Sequence, residues 1–185
     1  MFKSSIVWRI TRITVLIRLR VNDQRDTTFD CGNDDLNEFF FQDSAHFDNE
    51  LMAVTYVWIE NSKVAGFFSV SNDSISRKVD GTAYNRASRN VPNTKRFKTL
   101  PAVKIGRLAI HKDWQGKGLG SFLLNYIKYW FTNDNKTGCR FIVVDAMNVA
   151  ETVSFYEKNE FKFLSSKDSD EKTRLMFFDL MTIKQ

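Results

Sequence analysis

Cysteine and histidine are scarce in this chain, with two of each among 185 residues. Cys31 and Cys139 lie far apart, and His46 and His111 join them at no familiar metal-binding spacing, so a zinc site is not expected. The two thiols read as reduced core or near-core groups of a cytoplasmic protein. Long apolar runs are missing too: no stretch approaches the ~20 uninterrupted apolar residues of a membrane span. Residues 1–20 hold no acidic group and five basic ones, Lys3, Arg9, Arg12, Arg18 and Arg20. Arg9 and Arg12 interrupt what would be the apolar centre of a secretory signal, and no small-residue cleavage site follows, so no such signal is expected.

What is present suits one globular domain. The chain is 43% hydrophobic and 14% aromatic, enough to bury a core of its own. Residues 1–12 have no clear period and read as an extension; the domain is expected over 13–185. From Ile13 to Val21 the odd positions are apolar, which predicts a first strand with one buried face. Asn33, followed by Asp34 and Asp35, marks a helix start, with Leu36, Phe39, Phe40 and Phe47 as its apolar stripe. The β-rich runs 54–59 and 64–70, joined by a polar turn, predict a hairpin. A long polar loop follows. Beyond it come a strand ending at Ile110, a helix with Leu123, Leu124, Ile127, Trp130 and Phe131 on one face, and an apolar central strand over 141–146. A helix near 151–158 and two last β-rich runs, near 161–164 and 175–181, complete the order.

Residues 103–132 carry the clearest signal. An apolar strand enters the loop Gln115-Gly116-Lys117-Gly118-Leu119-Gly120 and leaves as an amphipathic helix. Three glycines within five residues let the backbone turn tightly and aim consecutive N–H groups at one point by a helix N-terminus, which makes a cradle for an anion such as pyrophosphate. A P-loop is excluded, because no Gly-Lys-Ser or Gly-Lys-Thr follows at the required spacing. The dinucleotide fingerprint is excluded as well: it needs Gly-x-Gly-x-x-Gly, and Ser121 and Phe122 follow Gly120 instead.

What does match is Gln/Arg-x-x-Gly-x-Gly/Ala, carried by Gln115, Gly118 and Gly120 after the strand residues Arg107-Leu108-Ala109-Ile110. This resembles the acyl-CoA site of the GNAT superfamily of N-acyltransferases. Two more segments agree. The run from Phe29 through Cys31, Gly32, Leu36 and Phe39 to Phe40 is similar to the Phe-x-Cys-Gly-x-x-x-Leu-x-x-Phe/Tyr-Leu opening of the branch containing bacterial tRNA-acetylating toxins, with Phe40 in place of leucine. The run Ser154-Phe155-Tyr156-Glu157-Lys158-Asn159-Glu160-Phe161 resembles the superfamily's Phe-Tyr-Glu-Lys-x-Gly-Phe, with Glu160 where glycine caps the helix in the left-handed conformation. The resemblance spans 13–185 and implies an α/β (α+β) fold of the GNAT type: a mixed central sheet flanked by helices, with two strands splayed at the acyl-CoA site.

It also implies acetyl-CoA as donor and an amine as acceptor. Backbone N–H groups of Leu108, Ala109 and Ile110 would meet the acyl carbonyl. Gly116, Gly118, Leu119, Gly120 and Ser121 would hold the pyrophosphate, with Gln115 and Lys117 as polar support. Asn148 and Phe155 would complete the cofactor contacts, and Tyr156 would face the thioester as the catalytic residue. No metal is implied. Acyl transfer to an amine needs a neutral amine, a stabilised oxyanion and a protonated leaving thiol. With free pKa values of about 10 for tyrosine and about 8.5 for a thiol, full proton transfer is uphill by roughly 2 kcal/mol. Either the site lowers the tyrosine's pKa or Tyr156 acts by hydrogen bonding. Asp145 and Glu151 are the candidates for a general base. An α-amine, with a pKa near 7.7–8.0 against about 10.4 for lysine, needs little help from one, so an α-amine acceptor is expected.

Charge bears on that acceptor. Between Asn72 and Leu100 seven basic residues (Arg77, Lys78, Arg86, Arg89, Lys95, Arg96, Lys98) face two acidic ones, a local +5 that equals the net charge of the chain. A basic loop there serves either an RNA backbone, which points to charged tRNA as acceptor, or solubility alone. Three further readings stay open: acetylation of a small amine or protein N-terminus, a non-catalytic acyl-CoA sensor, and, for a toxin, obligate pairing with an antitoxin. A homodimer is compatible with all of them, and no membrane partner is expected.

Overall fold

The computed structural model describes residues 14–77, 80–93, 97–133, 135 and 137–184; the sequence-defined extension lies outside them. One seven-stranded sheet runs through the molecule in the order β1-β2-β3-β4-β5-β7-β6. Its strands are β1 (Thr14–Leu19), β2 (Val54–Glu60), β3 (Lys63–Ser76), β4 (Thr99–Ile110), β5 (Phe141–Met147), β6 (Lys162–Phe163) and β7 (Thr173–Asp179). Every neighbouring pair is antiparallel except β4 and β5.

The hairpin forms as its sequence dictates. Asn61 and Ser62 both take positive φ, 52° and 65°, which matches the right-handed twist of the flanking strands. The helix start also follows: Asn33 accepts from Leu36 N at 3.0 Å and caps α1 (Asp34–Glu38). A π-helical turn (Phe39–Asp43) then joins α1 to α2 (Ser44–Asn49), aiming Phe39 and Phe40 into the core beside Leu36 and Phe47.

Two expectations change. The polar loop before β4 is largely structured: β3 continues to Ser76, and α3 (Gly81–Ala87) is capped by Asp80, which accepts from Thr82 N and Ala83 N. Ala83, Tyr84 and Ala87 pack under it on Leu100, Ala102 and Phe177. The small residues that read as loop composition are the ones that let a short helix lie close on the sheet. The first strand spans Thr14–Leu19, with Ile13 outside the described residues, and its odd face is not uniformly buried. Val15 and Ile17 remain 39% and 43% exposed, because only the Leu19 end of this edge strand lies under the Phe39–Phe40 turn, whereas Leu16 on the other face packs on the main core.

That main core lies on one face of the sheet, beneath α4 (Leu119–Asn133) and α5 (Ala150–Lys158). It joins Leu124, Ile127 and Phe131 of α4 and Tyr156 of α5 to Phe68, Ile105, Ile142, Val144 and Met176 of the strands. The opposite face is covered in two separate pieces. The α1–α2 layer covers Leu19, Val57, Phe67 and Ala109, and α3 covers the part around Ala102 and Val143. Both cysteines are buried and unpaired.

Candidate active site

The central strands part company in the middle of the sheet. The parallel ladder between β4 and β5 runs from Ala102–Phe141 to Ile105–Val144 and stops. Beyond it β4 stays hydrogen-bonded to β3 as far as Ile110, and β5 stays bonded to β7 as far as Met147. The fork has a local cause. Ser69 pairs with Arg107 and Val70 with Ile105, which leaves Gly106 as the extra residue of a β-bulge. A bulge bends its strand, and this one falls on the first β4 residue past the ladder. Leu108, Ala109 and Ile110 form the β4 arm of the fork.

The glycine loop begins where that arm ends. A 3-10 turn (Lys112–Trp114) leads to Gly116 and Gly118, at φ 71° and 82°, conformations that side chains disfavour. Phe122 N donates to Gly118 O at 3.0 Å, so Gly118 caps α4, and the first-turn N–H groups of Leu119, Gly120 and Ser121 have no helical partner. A cleft of about 470 Å3 adjoins the loop, walled by Trp58, Trp114 and Phe122 and edged by Lys117, Gly118 and Leu119.

The loop is held from behind by the opening motif, a connection the sequence did not reveal. The Gln115 amide donates to Cys31 O and Ile110 O, both at 2.8 Å. Lys112 binds Asp30 twice, N to the backbone carbonyl at 2.9 Å and Nζ to Oδ2 at 2.6 Å. His111 is buried between the Phe29 and Trp114 rings, with Nδ1 accepting from Asp113 N. The Lys112 ammonium, Gly32 N and the Asn37 amide hold the Asp30 carboxyl well below the usual range. Gln115 thus spends its donors on the scaffold, and Lys117 gives its ammonium to Asp113 O at 2.6 Å. Gln115 therefore offers an anion the placement of the loop and not a free donor, whereas the Lys117 ammonium keeps two of its three donors.

Helix α5 closes the other side. A Cβ on Gly120 would lie 3.2 Å from the Phe155 ring, so the absence of a side chain there sets the approach of α4 to α5. Ser121 Oγ accepts from the Asn159 amide at 3.1 Å, which also donates to Phe155 O. Tyr156 is buried against Phe155 and Phe161 and shares its cluster with Ile105, Val144 and Ala146, where the strands diverge. Burial pushes its pKa up to about 12, and its hydroxyl has no hydrogen-bond partner among the described residues. Burial thus makes proton transfer to a thiolate less favourable than it is between the free groups. Of the two roles left open by the sequence, the neutral hydroxyl suits the hydrogen-bond donor.

The GNAT acetyltransferase domain model fits residues 53–163. The chain belongs to the GNAT acetyltransferase family. As such it is an acyl-CoA-dependent N-acetyltransferase with acetyl-CoA as donor. It is similar to a tRNA-acetylating toxin of Mycobacterium tuberculosis, 27% identical over 145 residues, 77% of this chain and 82% of the relative. Among solved structures it is similar to the toxin AtaT complexed with acetyl-methionyl-tRNAfMet, at TM-score 0.72 and 20% identity over 92% of this chain and 97% of the other. A tyrosine-to-phenylalanine mutant of AtaT, bound to acetyl-CoA and to the C-terminus of the antitoxin AtaR, matches at TM-score 0.71 and 20% identity over 92% and 96%.

Other residues of this GNAT acetyltransferase fall less simply. Asn148 donates from its amide to Ser169 O and Glu171 O, both at 2.9 Å, tying the 165–172 loop to the end of β5. Glu151 is exposed in the first turn of α5, where a carboxylate suits the helix dipole. Asp145 is the first β5 residue beyond the ladder and pairs with Lys104 at 2.5 Å. A lysine between Val103 and Ile105 in a central strand is itself a signal in the sequence. In the basic segment Arg86 donates to Phe163 O at 2.8 Å and so serves the fold. Lys78, Lys95 and Arg96 lie outside the described residues. No group of metal-ligating side chains and no helix long and apolar enough to cross a membrane occurs among the described residues.

Proposed function

We propose that this acetyltransferase, with its domain over 13–185, moves the acetyl group of acetyl-CoA to the α-amine of an aminoacyl-tRNA. We also propose that it works in the cytoplasm as a toxin restrained by an antitoxin. The observation that carries the reading is the fork between β4 and β5, which opens beside the glycine loop and beside the Tyr156 side chain. The likeness to a tRNA-acetylating toxin directs it to tRNA. The pyrophosphate would lie on the N–H groups at the start of α4, the nucleotide part against the Trp58–Trp114 cleft, and the thioester between the strands with its carbonyl near the β4 arm.

The chemistry then needs little from side chains. The neutral amine attacks the carbonyl carbon, the N–C bond forms, and the C–S bond breaks. The amine arrives as an ammonium and gives up two protons in all, one to solvent and one that ends on the CoA sulfur. Tyr156 donates a hydrogen bond to that sulfur as charge builds on it. An α-amine supplies its neutral form at neutral pH without a strong base.

The test is to incubate the protein with labelled acetyl-CoA and total tRNA, aminoacylated or deacylated. Label is expected only in the aminoacylated fraction and is released by mild alkali with the ester. Label confined to small amines or protein N-termini would overturn the tRNA reading.

A further inference from the structure

The face of the sheet between the α1–α2 layer and α3 is open at its centre. Gly106 and Arg107 of β4 and Asp145 and Met147 of β5 are exposed there, although both strands are interior to the sheet. On the reverse face at the same level Ile105, Val144 and Ala146 are buried. The exposed stretch is therefore a trough whose floor is the mouth of the fork.

The floor is charged. Lys104 Nζ meets Asp145 Oδ2 at 2.5 Å, with the two side chains 33% and 42% exposed. Arg107 beside them donates to Gly106 O and lies with its guanidinium 5.2 Å from the Phe39 ring centre. An ion pair this exposed adds little to stability, so another cation can replace Lys104 at little cost.

We propose that Asp145 binds the acceptor ammonium at the mouth of the fork, the acceptor displacing Lys104. This rests on the reading that the chain acetylates an α-amine. Asp145 stands one residue past the last β4–β5 pair, so an amine held there approaches the thioester from the face opposite Tyr156. Lys104 neutralises the carboxylate while no acceptor is bound and makes the site a cation exchanger. Asp145 is thus an acceptor-binding residue, and a ligand without an ammonium gains nothing from it.

Two measurements test this. In steady-state acetylation of aminoacyl-tRNA, D145N should raise the acceptor KM at least tenfold, D145E should recover part of it, and the thermal shift with acetyl-CoA should stay at the wild-type value. K104M, which removes the competing cation, should lower the acceptor KM. Independently of turnover, alanine methyl ester titrated into protein with 13C-labelled aspartate carboxyls should shift the signal that D145E removes. N-acetylalanine methyl ester, which lacks the ammonium, should leave it in place. Active wild type with an unchanged acceptor KM in D145N overturns the inference while the tRNA reading stands. An ester-induced shift in a protein that acetylates no tRNA does the reverse, and no shift with the ester overturns the inference whether or not D145N folds.

Discussion

Gly120 and Phe155 pack so closely that a single methyl group on the glycine would lie 3.2 Å from the ring. The contact joins the helix that follows the glycine loop to the helix that carries Tyr156. It fixes the distance between the pyrophosphate cradle and the tyrosine.

Gly120→Val should therefore push α5 away from α4. We expect acetyl-CoA affinity to fall at least tenfold and turnover to fall further, with a loss of about 1–3 kcal/mol of stability from overpacking. Calorimetric titration with acetyl-CoA and a urea melt check both; a variant with wild-type affinity would show that the close approach is incidental.

Tyr156→Phe removes a hydroxyl that makes no hydrogen bond to the described residues. Stability should stay the same or rise slightly, since nothing is left unpaired. Acetyl-CoA affinity should stay near wild type. Turnover should drop by about 100-fold or more if the hydroxyl serves the departing sulfur. Full turnover at saturating acetyl-CoA would assign the ring to packing alone.

Glu160 ends α5 in the left-handed region at φ 65°, which a glycine adopts without strain. Its carboxylate lies 3.7 Å from Lys128 Nζ but is largely exposed, so little is lost with it. The buried Lys128 ammonium, whose pKa burial lowers, keeps its bond of 2.7 Å to Asn159 O. Glu160→Gly should thus stabilise the protein by about 0.5 kcal/mol, the relief of strain exceeding the entropy gained by the unfolded chain. A urea midpoint that moves down instead would mean that the Lys128 interaction outweighs the strain.

Acid should loosen the cradle. The Asp30 carboxyl titrates lower in the folded protein than in the unfolded chain, so its contribution is complete above the ordinary carboxylate range. It fades as pH falls below about 4 toward the lowered folded value. Between pH 6 and pH 3 the melting temperature of the wild type should fall more steeply than that of Asp30→Asn, and the gap between the two curves should narrow without closing. Parallel curves would remove Asp30 from the acid response.

Arg89→Ala combined with Lys98→Ala should weaken tRNA binding for all sequences alike and flatten its salt dependence by about 0.7–0.9 for each phosphate no longer neutralised. Arg86→Ala should instead lower the melting temperature, because its guanidinium binds the Phe163 carbonyl. An unchanged salt slope in the double variant would place the RNA elsewhere.

The strands, the glycine loop and the helix that follows it were legible in the sequence because period and glycine spacing are local. The cap at Asn33 and the burial of Leu123, Leu124 and Ile127 followed from the same local rules. Helix α3 was hidden because its short apolar stripe, Ala83, Tyr84 and Ala87, is diluted by polar neighbours and becomes meaningful only against Leu100 and Phe177. Lys128 sits in the apolar stripe of α4, and nothing local says that a carbonyl and two aromatic faces await it. The clamp of Asp30 on Lys112 joins residues 82 positions apart, and the Lys104–Asp145 pair depends on strand register. Pairings of that kind are set by the tertiary fold.

The bulge at Gly106 gives the sheet an unusual inner margin. Beyond Ile105 the side of β4 that faces β5 has no strand beside it, so backbone groups there lack a ladder partner. A donor with amide groups in its acyl arm can fill that seam as a surrogate strand, and the protein then gains stiffness at its centre only when loaded. Amide hydrogen exchange over Gly106–Ile110 should slow on adding acetyl-CoA far more than exchange over the β2–β3 hairpin, making the donor a late-arriving part of the architecture.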